Sequence, residues 1–371
     1  MIRLDFQPWG ESLAELADAA RRAEDAGAGV LWAPELHRSA PVTAAALAAT
    51  TTRVGVGTGI ALAFARSPML TALSALDLDE LSGGRFRLGL GTGVRRLIGD
   101  WHGMPFDPPV ARLRDTVAII RAVVAGAYTG EPIEHTGEAS IAVRGWRRPY
   151  PPVRERIPVY LAAMGPAMTA LAGEIGDGWL SHELCPPGHL ADTILPVLRK
   201  GSARNRNRVT SAGTATGAGQ ATNTGPVTGA GTAASAATAV LPGRTPEVVV
   251  SACCSVDADP VVARDRARGV VGFYASVQTY ADLFAEYADE QAAVVAARRE
   301  GRAAEALAEF VPAPMAAAYT LSGTRDDVAA GIARYDGLAD AVKLSPPTHG
   351  LAPAQIRVAQ NAIIDLIREL A

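Results

Sequence analysis

Apolar residues along the chain come in short runs, and each run is followed by a stretch patterned for one helical face. Ile2 to Phe6 ("IRLDF") predicts a strand. In the helix that follows, Leu13, Leu16, Ala20 and Ala23 share a face, Ser12 and Glu15 are spaced as a capping box, and Gly27 is the stop. Gly29 to Glu35 predicts a second strand before the helical "PVTAAALAATT". "RVGVGTGIAL" predicts a third, with its helix opening at Ser67-Pro68 and stopping at Gly83-Gly84. "RFRLGLGTG" predicts a fourth. Asp107-Pro108-Pro109 then opens a helix whose Val110, Leu113, Val117, Ile120 and Val124 fall on one side, closed by Gly126.

The second half repeats the scheme. Ile157 to Gly165 predicts a strand, and Met168, Leu171, Ala172 and Ile175 line the helix after it. Asp177 to Glu183, Glu247 to Val256 and Asp340 to Pro346 predict three more strands. Pro353 to Leu370 predicts the closing helix, with Ile356, Ile363, Ile367 and Leu370 inward. Near-continuous apolar strands between amphipathic helices imply a parallel sheet covered by helices. Eight such units imply an α/β fold of (β/α)8 barrel type, read as one domain over residues 1–371. Two insertions extend it. One, 128–156, contains a candidate hairpin in "IEHTGEASIAVRG"; the other, 201–243, is rich in Ala, Gly, Thr and Ser and predicts a flexible surface excursion.

Composition narrows the function more than the fold. The 371 residues are 49% hydrophobic and carry a net charge of only −3, so neither nucleic acid nor an anionic membrane is an expected partner. No apolar run reaches the ~18 residues of a membrane span, and "MIRLDFQPWG" lacks a secretory pattern. Three cysteines, two of them adjacent, make no disulfide framework, so a reduced, cytoplasmic protein is expected.

Two nearly identical peptides, "VGVGTGIA" and "LGLGTGVR", carry the first chemical signal. Their glycines are spaced G-x-G-x-G, and the third glycine of a dinucleotide fingerprint is Ile60 in one copy and Val94 in the other. The Rossmann reading therefore fails. Two readings remain: strand ends cleared for a flat ligand, or glycines that relieve crowding inside the barrel. The turn at Gly165, with Pro166 in the first helical position, exposes the N–H groups of Gly165, Ala167 and Met168 as a candidate anion site. Glu35 and His37 follow strand two and His182 follows strand six, all at the catalytic end. "HELCPPGH" has metal-like spacing but no fourth ligand, so no metal is expected.

"LDELSGGRFRLGLGTG", "WHGMPFDPPVARLRDTV", "PVYLAAMGPAMTALAGEIGDGWL" and "LSGTRDDV" together resemble the bacterial luciferase-like monooxygenase superfamily. The resemblance is nearer to the branch using the deazaflavin coenzyme F420. It implies a flavin-like ring at the C-terminal mouth, propped by a non-prolyl cis peptide at Gly59-Ile60 beside Ala61. It also implies that Thr92, Gly93 and the turn Met164, Gly165, Pro166, Ala167 and Met168, with Gly178 and Trp179, hold the cofactor's side chain and phosphate. Relatives often carry Asp-His after strand two and Glu after the strand-four "GTG"; here stand Glu35-Leu36 and Val94. Glu35, His37 and His182 are the substitute proton-transfer candidates. The expected activity is hydride transfer between F420 and a small organic substrate, in a homodimer. The alternatives are an FMN-dependent monooxygenase and a non-catalytic flavin-binding relative.

Overall fold

The structure, a computed structural model, describes residues 2–215 and 245–371, with only the backbone described for 206–215. Eight parallel strands close into a barrel: β1 (Arg3–Phe6), β2 (Val30–Ala33), β3 (Gly55–Thr58), β4 (Phe86–Gly91), β5 (Val159–Ala162), β6 (Gly178–Leu180), β7 (Glu247–Val256) and β8 (Ala341–Ser345). Each pairs with the next, β6 with β7 through Val248↔Trp179, and β8 returns to β1 through Leu4↔Val342. Among the helices of the described residues that wrap it are α1 (Leu13–Asp25), α2 (Ala40–Thr50), α3 (Pro68–Leu81), α4 (Pro109–Gly126), α5 (Pro166–Ile175), α6 (Leu195–Ala215), α7 (Pro260–Ala275) and α8 (Pro353–Leu370). The predicted stripes mostly face inward, with Leu13 at the start of α1 exposed; on α8, Ile356, Ile363 and Ile367 are all buried. Burying each such side chain stabilises by about 1.5–3 kcal/mol relative to exposure.

The first insertion forms the expected hairpin outside the barrel, with Ile133–His135 antiparallel to Ile141–Val143. The second requires a correction. Gly201 through Ala215 is not an excursion but the continuation of α6, because Gly201 and Ser202 pack against α5 and are buried there. The rest of that Ala/Gly/Thr-rich stretch lies outside the described residues. A short strand absent from the sequence reading, Leu321–Gly323, pairs with the outer part of β7.

The barrel interior is not the usual stack of branched apolar side chains. Arg3, Asp5 and Lys343 point into it from adjacent strands, and Trp32 fills its centre. The Trp32 Nε1–H donates to Asp5 Oδ2 at 2.9 Å, and its ring meets Tyr160 edge-on at 5.4 Å between centroids. A Cβ on Gly57 would lie 2.6 Å from the Trp32 ring, and one on Gly59 would lie 2.9 Å from Trp32 Cβ. The first glycine peptide is thus cleared chiefly for an indole of the protein itself. The crowding reading accounts for these positions.

β3 carries a one-residue bulge. Gly57 pairs with Arg87, but four residues on, Ala61 pairs with Leu90 rather than Arg87's fourth neighbour, Gly91. The fully buried Thr58 spans the break: its hydroxyl donates to the Gly89 carbonyl at 2.7 Å and accepts the Gly89 N–H at 2.9 Å. Replacing Thr58 by Val strands both backbone groups. Thr58→Val is expected to destabilise by about 2–4 kcal/mol in denaturant unfolding, whereas Thr58→Ser keeps the hydroxyl and loses about 1 kcal/mol. Equal losses in the two variants would show that the hydroxyl does not hold the bulge.

Candidate functional site

Beyond the bulge, β3 turns across the C-terminal mouth. The Gly59–Ile60 peptide is cis, at the position expected from the resemblance. The Ile60 side chain lies over Gly91, where a Cβ would come within 2.9 Å of Ile60 Cδ1. Ala61 is buried in the resumed ladder, and Gly93, with φ +67°, turns the chain where Thr92 Oγ1 bonds the next carbonyl. β5 ends beside them. Met164, Gly165, Pro166 and Ala167 are exposed, with Met168 half-buried, and the α5 N-terminus has no side-chain cap. A Cβ on Gly165 would meet nothing within 4 Å. Strands β3, β4 and β5 therefore offer an apolar floor of small residues next to an open helix start, whose N–H groups and dipole favour an anion.

Glu35 sits at the end of β2, yet its oxygens are already engaged. It pairs with Arg66, accepts the Leu62 N–H at 2.8 Å and accepts the Ala40 N–H at 3.2 Å. Burial alone would raise its pKa, but Arg66 and the two backbone donors outweigh it and hold the carboxyl below its ordinary value. The arrangement fastens the segment after Ile60 to the start of α2. His37, two residues on, is exposed at the rim, near enough to His349 to oppose protonation there.

His182, after β6, is enclosed by rings. Tyr274 of α7 lies edge-on at 4.0 Å and Tyr280 at 4.6 Å, while His349, beyond β8, stacks on Phe273 at 4.7 Å. The Leu184 N–H donates to His182 Nδ1 at 3.2 Å, which assigns the ring proton to Nε2. That buried Nε2 has no partner among the described residues. Burial, with the Lys343 cation nearby, lowers the His182 pKa to about 3, so the imidazole is neutral at physiological pH. Glu183 faces the same cluster: its carboxylate accepts from the Tyr274 hydroxyl at 3.4 Å and its charge favours the cationic forms of Lys343 and His349.

The other two expected cofactor residues stand on β6. Gly178 is at the N-terminal end of β6, level with Tyr160 and Glu247, and its missing Cβ makes room for the Tyr160 ring, which would lie only 2.1 Å away. Trp179 faces outward into the helical layer, and its Nε1–H donates to the Ala163 carbonyl at 3.0 Å. Gly178 therefore stands near the barrel floor, while the Trp179 indole reaches the chain one residue before Met164. Sequence reasoning also passed over Glu183, Tyr274, Tyr280, Lys343 and His349. Tyr274 and Tyr280 lie in and just after α7 and carry no motif of their own.

The family model for luciferase-like monooxygenases matches residues 4–341, and the chain belongs to that family. Family members are oxidoreductases or monooxygenases. A Mycobacterium tuberculosis protein bearing the provisional name coenzyme F420-dependent oxidoreductase is 38% identical over 193 residues, covering 48% of this chain and 54% of that protein. The 5,10-methylenetetrahydromethanopterin reductase of Methanolobus tindarius is 31% identical over 182 residues, 48% of this chain and 52% of that protein. The chain spans about half the length of these curated relatives. The coenzyme F420-dependent tetrahydromethanopterin reductase of Methanopyrus kandleri superposes with a TM-score of 0.76 at 20% identity, covering 99% of this chain and 97% of that one, a likeness of fold. No described helix is long and apolar enough to cross a membrane.

The buried His182 sets an acid limit. Its folded pKa of about 3 lies below the ordinary 6.5, so the neutral ring favours folding above pH 6.5, and that contribution is lost as pH falls from 6.5 towards 3. Stability measured by urea unfolding is expected to fall across this window in the native chain and to fall less steeply in His182→Gln. Parallel pH slopes for the two proteins would refute the assignment.

Proposed function

We propose that the chain is an F420-dependent oxidoreductase passing a hydride between the deazaflavin and a small organic substrate. The observation carrying this reading is the juxtaposition at β3, β4 and β5: an apolar floor formed by Ile60 over Gly91, beside the uncapped start of α5. A flat tricycle with an anionic tail fits those two features together, and the provisional name of the mycobacterial relative supports the deazaflavin over FMN.

In this reading Gly59, Ile60 and Ala61 support one face of the ring, and Thr92 and Gly93 border it. The Gly165 to Met168 turn receives the phosphate. When bound, the deazaflavin supplies a two-electron hydride donor or acceptor; the chain supplies position, exclusion of water and the proton. Glu35, kept ionised by Arg66, positions the Ile60–Leu62 segment rather than donating a proton. His182 offers its Nε2–H to a substrate oxygen as a neutral hydrogen-bond donor, and His37 at the exposed rim exchanges the proton with solvent. A monooxygenase using reduced FMN is the second reading, favoured by the family's name.

The homodimer rests on α2 and α3. The α2 sequence has no charged residue, and Val42 and Leu70 are 55% and 58% exposed on the two outer faces. A helix with no charged face, as α2 is, is normally covered, and Leu70 of the neighbouring α3 extends its apolar patch. Light scattering is expected to show a dimer that Leu70→Asp converts to monomer; a monomeric native chain would refute the interface.

Titration with F420 and with FMN tests the activity. Saturable F420 binding, with anaerobic hydride transfer to a carbonyl or alcohol panel, is the expected result, and His182→Gln should lower kcat by about 10–100-fold. Binding of FMN alone with oxygen consumption would establish the monooxygenase. Tight cofactor binding without turnover under either donor would establish a non-catalytic relative.

A further inference from the structure

A cavity opens not at the catalytic mouth but at the opposite, N-terminal end of the barrel. It has a volume of about 550 Å3 and is lined by Arg53, Arg85, Arg87, Arg154 and Arg156, against two carboxylates, Asp177 and Glu247. That volume is in the range of small-molecule sites, about 300–1,000 Å3.

On the lining itself five guanidinium groups face two carboxylates, and carboxylates just outside it offset part of the excess. Asp177 is shared between Arg156 and Arg121, and it also accepts the Val159 N–H at 2.9 Å. Glu247 is shared between Arg3 and the Tyr160 hydroxyl and also attracts Arg87. Arg154 pairs with Asp79, outside the lining, and Arg53 holds Asp25 only at 3.5 Å across the surface. Arg85 donates to the carbonyls of Ser82, Thr51 and Val54. Arg87 bonds the Tyr160 hydroxyl and is attracted to Glu247 and Asp5, while Arg85 is held mainly by those carbonyls. Gathering like charges in a part-buried space is unfavourable unless a counter-charge occupies it.

The backbone is shaped to keep this end open. Gly55 lacks a Cβ that would lie 2.1 Å from Arg87 Nη1, and Gly29 lacks one that would lie 2.4 Å from Arg3 Cδ. Both guanidinium chains therefore cross the floor, where branched residues would normally close the barrel. The walls are otherwise polar, with Tyr160 and Phe86 the aromatic lining residues, which suits compact anions better than a stacked ring.

We propose that the N-terminal mouth is a second binding site, for a small phosphate-bearing polyanion held by Arg53, Arg87 and Arg156. Planar, multidentate guanidinium donors match phosphate oxygens. The site is independent of the deazaflavin reading, since it lies at the other end of the strands.

Calorimetric titration of the full chain with inorganic pyrophosphate, and with citrate for comparison, tests it. The titration is made in Gly165→Asp, where the added carboxylate bars anions from the start of α5. One pyrophosphate per chain is expected, weakened about ten-fold or more by a further Arg87→Gln change, and also by Arg53→Gln. Arg53 is largely exposed, so its variant reports even if Arg87→Gln fails to fold. Loss of binding in Gly165→Asp itself, or unchanged binding in Arg53→Gln, would overturn the site. Tighter binding of citrate than of pyrophosphate would overturn the phosphate assignment.

Discussion

The barrel is organised around one buried indole. Trp32 occupies the interior where branched side chains from several strands would normally meet, and a residue of that size has room only if a neighbouring strand gives way. β3 gives way at Gly57 and Gly59. The indole N–H needs an acceptor in so dry a place, and Asp5 on β1 provides it. Burial raises the Asp5 pKa most strongly, while Arg3 and Trp32 pull it back down. From that pairing the rest of the interior follows: Arg3 engages Glu247, Glu247 engages Tyr160, and the Tyr160 ring returns to the edge of Trp32. The ring of contacts closes on itself across four strands.

This arrangement links the interior to the mouth. Glycines that admit the indole leave β3 with little side-chain packing near its end, and the strand departs from regular pairing just there. Thr58 replaces the missing ladder bonds, and Glu35 secures the chain again at Leu62. Between those two anchors, Ile60 is presented over Gly91. The apolar floor is thus a short span held at both ends by buried polar contacts.

The sequence period was sufficient for the eight strands and their helices, because each strand is buried on both faces and each helix keeps a clear stripe. It was sufficient for the cis Gly59–Ile60 position only through family resemblance. What could not be read was the partner of each glycine. G-x-G-x-G looks the same whether the vacated space goes to a ligand, to Trp32 or to Arg87, and the choice depends on which strands become neighbours at closure. Gly178 shows the same limit: one strand residue sits at the floor or the mouth according to register, and register is fixed by pairing with Tyr160 and Glu247. The α6 extension was hidden for another reason. Its Ala, Gly and Ser residues have weak periodicity, but small residues permit close packing on α5, where Gly173 and Gly201 each admit a backbone carbonyl of the facing helix.

Polar groups at both ends of the barrel divide its electrostatics. At the C-terminal end, His182 is neutral, Lys343 is desolvated and bonded to Gln7, and Glu183 supplies the compensating charge. At the N-terminal end, guanidinium groups outnumber carboxylates along the cavity wall. Trp32 and Asp5 lie between, with Lys343 level with Asp5, so the interior separates an aromatic mouth from a cationic floor. Excess positive charge is better accommodated at the far end of the strands, where screening and distance weaken its effect on the site.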